Sequence, residues 1–256
     1  MTMAEVLAWC LETCRAARSG RILLTANASH VVDMQADPAL RQACHAADLI
    51  VADGMSLVWA SRLLGRPVPE RVPGIDLLSG LLRLAPQHGL RVFLLGAKPE
   101  ALAHFVAQCS RDYPGLVVAG WRDGYFAPAE HEAVVQQIAA SEADILFVAM
   151  PSPFKDIWCE RHRDRFGARL IMGVGGAFDV LTGLVPRAPR WMQASGLEWS
   201  WRLMLEPRRL WRRYLFGNSR FLWLIVRDWF SERVPPAVDE CQAGPCQKSA
   251  SHVEIK

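Results

Sequence analysis

Arg91-Val-Phe-Leu-Leu-Gly96 and Asp144-Ile-Leu-Phe-Val-Ala149 decide the fold class of this chain. Each is a short, continuously apolar run, closed by a glycine or a small residue, as expected of a strand buried on both faces. The same pattern recurs in Arg21-Ile-Leu-Leu-Thr-Ala26, Asp48-Leu-Ile-Val-Ala52, Leu116-Val-Val-Ala119 and Arg169-Leu-Ile-Met-Gly-Val174. Helix-length segments lie between them, at about 37–47, 55–64, 75–88, 99–112, 128–141 and 154–166. Pro38, Pro99 and Pro128 stand near helix starts, where a missing N–H costs little. This alternation predicts an α/β fold, a Rossmann-like, mostly parallel sheet flanked by helices.

The pattern changes after Gly176. Gly183, Pro186 and Pro189 mark irregular chain. Arg190 to Leu205 and Pro207 to Phe216 then read as Arg/Trp-rich helices separated by Pro207. From Val234 the periodicity is lost. The expected organisation is an α/β catalytic domain (1–186), a basic, membrane-proximal helical appendage (187–233) and a disordered tail (234–256).

With 256 residues, 51% hydrophobic and 21% charged, the chain can bury a core. No apolar run approaches the roughly 20 residues of a membrane span. The best, Phe221 to Val226, lies between Arg220 and Arg227. Glu5 and Glu12 interrupt the apolar start, so a secretory signal is not expected there. The seven cysteines are scattered without C-x-x-C spacing, which argues against a disulfide framework and fits a reducing cytoplasm. Cys10 and Cys14, one helical turn apart, read as helix packing. The seven histidines, His30 among them, read as surface or helix-face residues, and no metal site is expected.

Charge is distributed unevenly. Residues 187–227 hold nine Arg, two acids and five of the ten Trp, a local charge of +7 against −4 for the remainder. Such a segment is built to meet something anionic across a partly apolar interface. Arg208, Arg209, Arg212 and Arg213 share one side of a helix, and guanidinium groups bind diphosphate bidentately.

In an open parallel sheet, ligands bind beyond the carboxyl ends of the strands. There the sequence places Thr25 and Asn27, Asp53-Gly54, Gly96-Ala-Lys98, Asp123-Gly-Tyr-Phe126, Pro151 to Asp156, and Gly173-Val-Gly-Gly176 with Asp179. Asp53 suits a general base with a raised pKa, and equally an N-cap for the helix starting at Met55. Thr25, Asn27 and Asp179 also serve as well for caps and turns. The glycines after the sixth strand are not a G-x-G-x-x-G fingerprint, and Thr25-Ala-Asn27 lacks the glycines a dinucleotide oxidoreductase carries after its first strand. A non-catalytic, membrane-docked interaction protein would explain the Arg/Trp segment alone. Nucleic-acid binding would leave the net acidic core unexplained.

Ten motifs, in unbroken order over about residues 20–225, resemble the WecG/TagA/CpsF glycosyltransferase family. They are Thr25-Ala-Asn27, Ala52-Asp-Gly54, Arg71-Val-Pro-Gly-Ile-Asp76, Val92-Phe-Leu-Leu-Gly96, Tyr113-Pro-Gly115, Gly124-Tyr-Phe126, Gly173-Val-Gly-Gly-Ala-Phe-Asp179, Arg187-Ala-Pro189, Leu197-Glu-Trp199 and Glu206-Pro-Arg-Arg-Leu-Trp-Arg-Arg-Tyr214. The resemblance implies an inverting, metal-independent transferase without a cofactor. It would move a sugar from a UDP-sugar to an undecaprenyl-diphosphate-linked saccharide in the synthesis of exopolysaccharide or another bacterial surface glycan. It further implies a cytoplasmic enzyme held peripherally at the inner, anionic face of the cell membrane; a homo-oligomer is left open. By motif position Asp53 corresponds to the base, and Thr25 and Asn27 to contacts with the transferred sugar or acceptor. Asp179 corresponds to a residue near the uracil, and Arg202, Arg209 and Arg212 to residues reaching the diphosphate. Arg71, Asp76, Gly175 and Gly176 are carried over as substrate-binding. Lys155 stands where the family often has a Gln thought to contact substrate. A cation there leaves the donor open among N-acetylmannosamine-type sugars, glucose and hexuronates.

Overall fold

The computed structural model describes residues 1–16 and 19–233. In chain order the elements are α1 (Met3–Arg15), β1 (Arg21–Ala26), α2 (Ala28–Ala36), α3 (Pro38–His45), β2 (Leu49–Ala52), α4 (Met55–Leu63), α5 (Gly74–Leu84), β3 (Arg91–Gly96), α6 (Pro99–Asp112), β4 (Val117–Arg122), α7 (His131–Ala140), β5 (Ile145–Ala149), α8 (Phe154–His162), β6 (Leu170–Gly173), α9 (Ala177–Leu181), α10 (Arg190–Ala194), α11 (Glu198–Leu205) and α12 (Pro207–Arg233). The expected tail, 234–256, lies outside the described residues.

The six strands form one sheet in the order β2-β1-β6-β5-β3-β4, and all five pairings are parallel. The central β5 is buried along its whole length, while the edge strand β4 is at most half-buried. Four of the six apolar runs read from the sequence are therefore inner strands, and the runs at 48–52 and 116–119 are the edge strands β2 and β4. Side chains alternate between faces. Ile145 and Phe147 join Leu170, Met172, Leu77, Leu81, Phe105 and Phe178 beneath α1, α5, α6 and α9. Leu146 and Val148 join Phe93, Ile171, Val134, Ile138 and Trp158 beneath α7 and α8. Gly120 is required at the β3–β4 register shift, because a Cβ there would come within 2.7 Å of the Phe93 ring.

Helix ends follow the local chemistry. Thr2 and Glu5 form a capping box on α1, Asn27 caps α2, and Asp37 caps α3 with Pro38 in its first turn. Cys10, Cys14, Cys44, Cys109 and Cys159 are buried free thiols; burial pushes those of Cys14, Cys109 and Cys159 up to about 12.

Two expectations are corrected. The segment 190–205 is two short helices, broken where Gly196 adopts a φ of +74° against Met55. α12 does not stop at Phe216. It continues because Phe221, Leu224 and Ile225 are buried with Val32 of α2 and Ala60 of α4.

Phe178 stacks on Phe105 with ring centroids 4.6 Å apart and is fully buried, so it fastens α9 to α6. Phe178→Ala is expected to lower unfolding free energy by about 3–5 kcal/mol in denaturant titrations.

Candidate active site

Neighbouring strands send their connections to opposite faces of the sheet. β1 leads into α2, which packs with α3, and α3 with α8. β6 leads into α9, which packs on α5 and α6. The crevice above such a switch point is where open α/β sheets hold ligands.

Asp53 follows β2 at this rim. Its N–H bonds to the Ala26 carbonyl at 2.8 Å, and its carboxylate accepts from the N–H of Gly74, the first residue of α5, at 3.3 Å. It is not the cap of α4; that position is Gly54, with no side-chain cap bond. Desolvation raises the Asp53 carboxyl above its ordinary value, against the opposing pull of Arg202, the Gly74 N–H and Arg71, and Glu198 adds to the rise. The carboxylate is thus half-buried at the rim with a single backbone donor, and desolvation of this kind favours its protonated form.

Thr25 and Asn27 converge on the same place. The buried Thr25 hydroxyl donates to the Gly173 carbonyl at 3.4 Å, and a Cβ on Gly74 would lie 3.2 Å from its oxygen. The Asn27 carbonyl oxygen accepts from the N–H groups of Ser29 and His30, and a Cβ on Gly54 would sit 3.6 Å from Asn27 Cβ. Asn27 is therefore the N-cap of α2, with its side-chain oxygen occupied. Across the crevice the turn after β6 carries Gly175, at φ +53°, and Gly176, and a Cβ on either would meet nothing within 4 Å. That open backbone leaves room for a ligand to approach closely. Asp179 is half-buried in the first turn of α9.

The remaining expected residues tie the C-terminal helices to the core. Arg71 pairs with Glu198 of α11 at 3.2 Å, both side chains largely buried. Asp76, in the first turn of α5, is gripped by both terminal nitrogens of Arg187 at 2.7 and 2.8 Å, and Arg187 Nε lies 3.9 Å from Glu198. The Trp201 indole donates to the Pro186 carbonyl at 2.9 Å. Arg202 is exposed on α11, close enough for its charge to act on Asp53. Arg209 and Arg212 lie on α12, and their side chains are outside the described residues.

Lys155 is buried rather than open to the crevice. It is hydrogen-bonded to Asp156 and rests against Gly173. His30, expected at a helix face or the surface, is buried at 6% exposure with Nε2 3.6 Å from Asp156. Glu198, Arg187, Gly74 and His30 contact the expected residues or their neighbours but are not among the strand-end candidates read from the sequence. A signal existed for Glu198, one of only two acids in a segment of nine Arg.

Residues 1–235 match the Glycosyl transferase WecG/TagA/CpsF family. The chain belongs to that family. It is also 37% identical over 196 residues to the N-acetylglucosaminyldiphosphoundecaprenol N-acetyl-beta-D-mannosaminyltransferase of Bacillus spizizenii, an alignment covering 77% of this chain and 75% of that one. This protein is accordingly a glycosyltransferase. Among the described residues no helix is long and apolar enough to cross a membrane, and no group of three or more His, Cys, Asp or Glu is arranged to hold a metal ion.

Two predictions follow from the site's electrostatics and its latch. The raised carboxyl of Asp53 contributes stability that is present below its unfolded value and lost as pH rises through its folded one. Thermal melts should therefore show Asp53→Asn gaining stability relative to the parent as pH rises from about 4. Removing the bidentate grip with Arg187→Ala should make the segment 187–206 cleave faster in limited proteolysis, with the core fragment persisting.

Proposed function

We propose that this glycosyltransferase moves a hexose from a UDP-sugar to a saccharide on undecaprenyl diphosphate, with inversion at the anomeric carbon. The observation that carries the reading is the Asp53 carboxylate, desolvated at the rim of the sheet and overlooked by Arg202. The acceptor hydroxyl loses its proton to Asp53 as its oxygen attacks the anomeric carbon. The bond from that carbon to the diphosphate breaks on the opposite side, and UDP leaves with the electron pair. General-base assistance of this kind is worth roughly 10²–10⁴-fold. Thr25 and Asn27, beside Asp53, hold the sugar or the acceptor. The open Gly175–Gly176 turn and Asp179 receive the nucleotide.

The departing diphosphate carries developing charge, and charge-assisted hydrogen bonds from guanidinium groups stabilise it. Arg202 of α11 and Arg209 and Arg212 of α12 are the groups for that task. Arg71, by pairing with Glu198, holds α11 over the crevice. The relative from Bacillus spizizenii, whose name specifies an undecaprenol diphosphate acceptor, supports the lipid-linked acceptor here.

Residues 187–233 would bring the crevice to the lipid surface. Their exposed faces carry Trp191, Trp199, Met204, Trp211, Leu215, Phe216, Trp223 and Phe230. Arg202, Arg208, Arg220 and Arg227 are exposed among them. Aromatic residues suit the interface, and each basic residue near an anionic membrane contributes about 1 kcal/mol. This supports peripheral attachment to the inner face of the cell membrane.

Asp53→Asn should retain UDP binding by calorimetry while product formation falls about a hundredfold or more. Full turnover by that variant removes Asp53 as the base. Chelation with EDTA should leave turnover unchanged; strict dependence on added Mg²⁺ or Mn²⁺ would overturn the guanidinium account.

A further inference from the structure

Behind the crevice lies a buried ionic cluster that the mechanism does not use. Lys155 and Asp156, in the first turn of α8, are 6% and 8% exposed, and the ammonium is hydrogen-bonded to the carboxylate. His30 approaches from α2, Nε2 to Oδ2 at 3.6 Å. Asp156 Oδ2 and both ring nitrogens of His30 have no hydrogen-bond partner among the described residues. Burial alone would lift the Asp156 carboxyl, but His30 and Lys155 outweigh it, with Ser152 assisting, and hold it well below the usual carboxylate range. The two charges therefore cancel inside the protein.

The position of this cancelled pair matters. A Cβ on Gly173 would lie 3.0 Å from Lys155 Nζ, so the cation rests against the carboxyl end of β6. The Gly173 carbonyl accepts from Thr25, Thr25 packs on Gly74, and the Gly74 N–H holds Asp53. A base at Asp53 must reach the oxygen that attacks the anomeric carbon, so the transferred sugar lies over this end of β1 and β6. An anionic sugar entering there needs a cation free to receive it, because a buried charge without a partner is costly. Among the described residues, Lys155 is matched by Asp156, Arg71 by Glu198 and Arg187 by Asp76 and Glu198, and Arg202 is the cation the proposed function gives to the diphosphate.

Resting on the reading of the preceding subsection, we propose that Asp156 is a specificity-determining residue: by neutralising Lys155 it keeps the sugar subsite uncharged. The transferred sugar is then a neutral hexose, an N-acetylhexosamine or glucose, and not a hexuronate. A cation replaces an amide at position 155, but its charge is spent within the fold. His30 acts as a positioning residue, closing the far side of Asp156 so that the carboxylate stays turned to Lys155.

The test compares kcat/KM for a UDP-N-acetylhexosamine and a UDP-hexuronate on an undecaprenyl-diphosphate-linked acceptor, with UDP binding measured separately by calorimetry. The parent should favour the neutral donor by about a hundredfold or more. Asp156→Asn leaves an unmatched ammonium and should shrink that ratio about tenfold or more. The double variant Lys155→Gln with Asp156→Asn removes both charges and should restore the ratio, a recovery that a merely structural role would not produce. Thermal melts establish that each variant is folded; if Asp156→Asn alone does not fold, the double variant still must retain the neutral-donor preference. Equal or better use of the hexuronate by the parent, or a double variant that loses the preference, overturns the proposal. Failure of the parent to bind UDP counts instead against the function from which it starts.

Discussion

A carboxylate kept partly out of water is the constraint around which this molecule is arranged. Asp53 receives a single backbone N–H, from Gly74, and its desolvation is offset only in part by Arg202 and Arg71. A surface aspartate would be a weaker base at neutral pH, and one fully paired with arginine would be weaker still. The sheet supplies the intermediate condition. β2 delivers Asp53 to the rim, α5 begins beside it, and Gly74 is without a side chain where Thr25 must fit. Each of these is a packing requirement with a chemical consequence.

The C-terminal helices complete that environment from a distance in sequence. Glu198 and Arg187 lie more than a hundred residues from Arg71 and Asp76, yet the three ion pairs among them bring α11 over Asp53. The Arg187–Asp76 pair is partly exposed, so its stability contribution is small, about 0–1 kcal/mol. The value of the three pairs lies in register. Burial of Phe221, Leu224 and Ile225 against α2 and α4 provides the anchoring free energy, and the ion pairs set the position. The opposite face of α12 keeps Trp211, Leu215, Leu222, Val226 and Phe230 exposed in one stripe, consistent with the proposed attachment to a lipid surface.

Much of the fold was legible in the sequence because inner parallel strands leave a local record: four to six apolar residues in a row, closed by glycine or a small residue. The edge strand β4 was harder. Its half-exposed Gly120, Trp121 and Arg122 carry no apolar run, so its end was placed at Ala119. α2 escaped notice because it begins directly after Asn27, with polar Ser29, Asp33 and Gln35 interrupting its apolar positions. The length of α12 depends on tertiary burial that no local pattern reports. At the site, Asp53 was legible as a candidate but ambiguous, since cap and base require the same residue type. Its actual partner lies 21 residues away. Lys155 shows the same limit, for its neighbour Asp156 was in view, but burial of the pair was not.

The central claim is that Asp53 works as a base because the fold holds its carboxyl above the ordinary range. The most direct measurement is the pH dependence of kcat/KM for sugar transfer, which reports the ionisation of the free enzyme's essential groups. Activity is lost when the base is protonated, so the acid limb should fall at a pH above the ordinary aspartate value. A rate that stays flat down to the ordinary aspartate range would contradict the account.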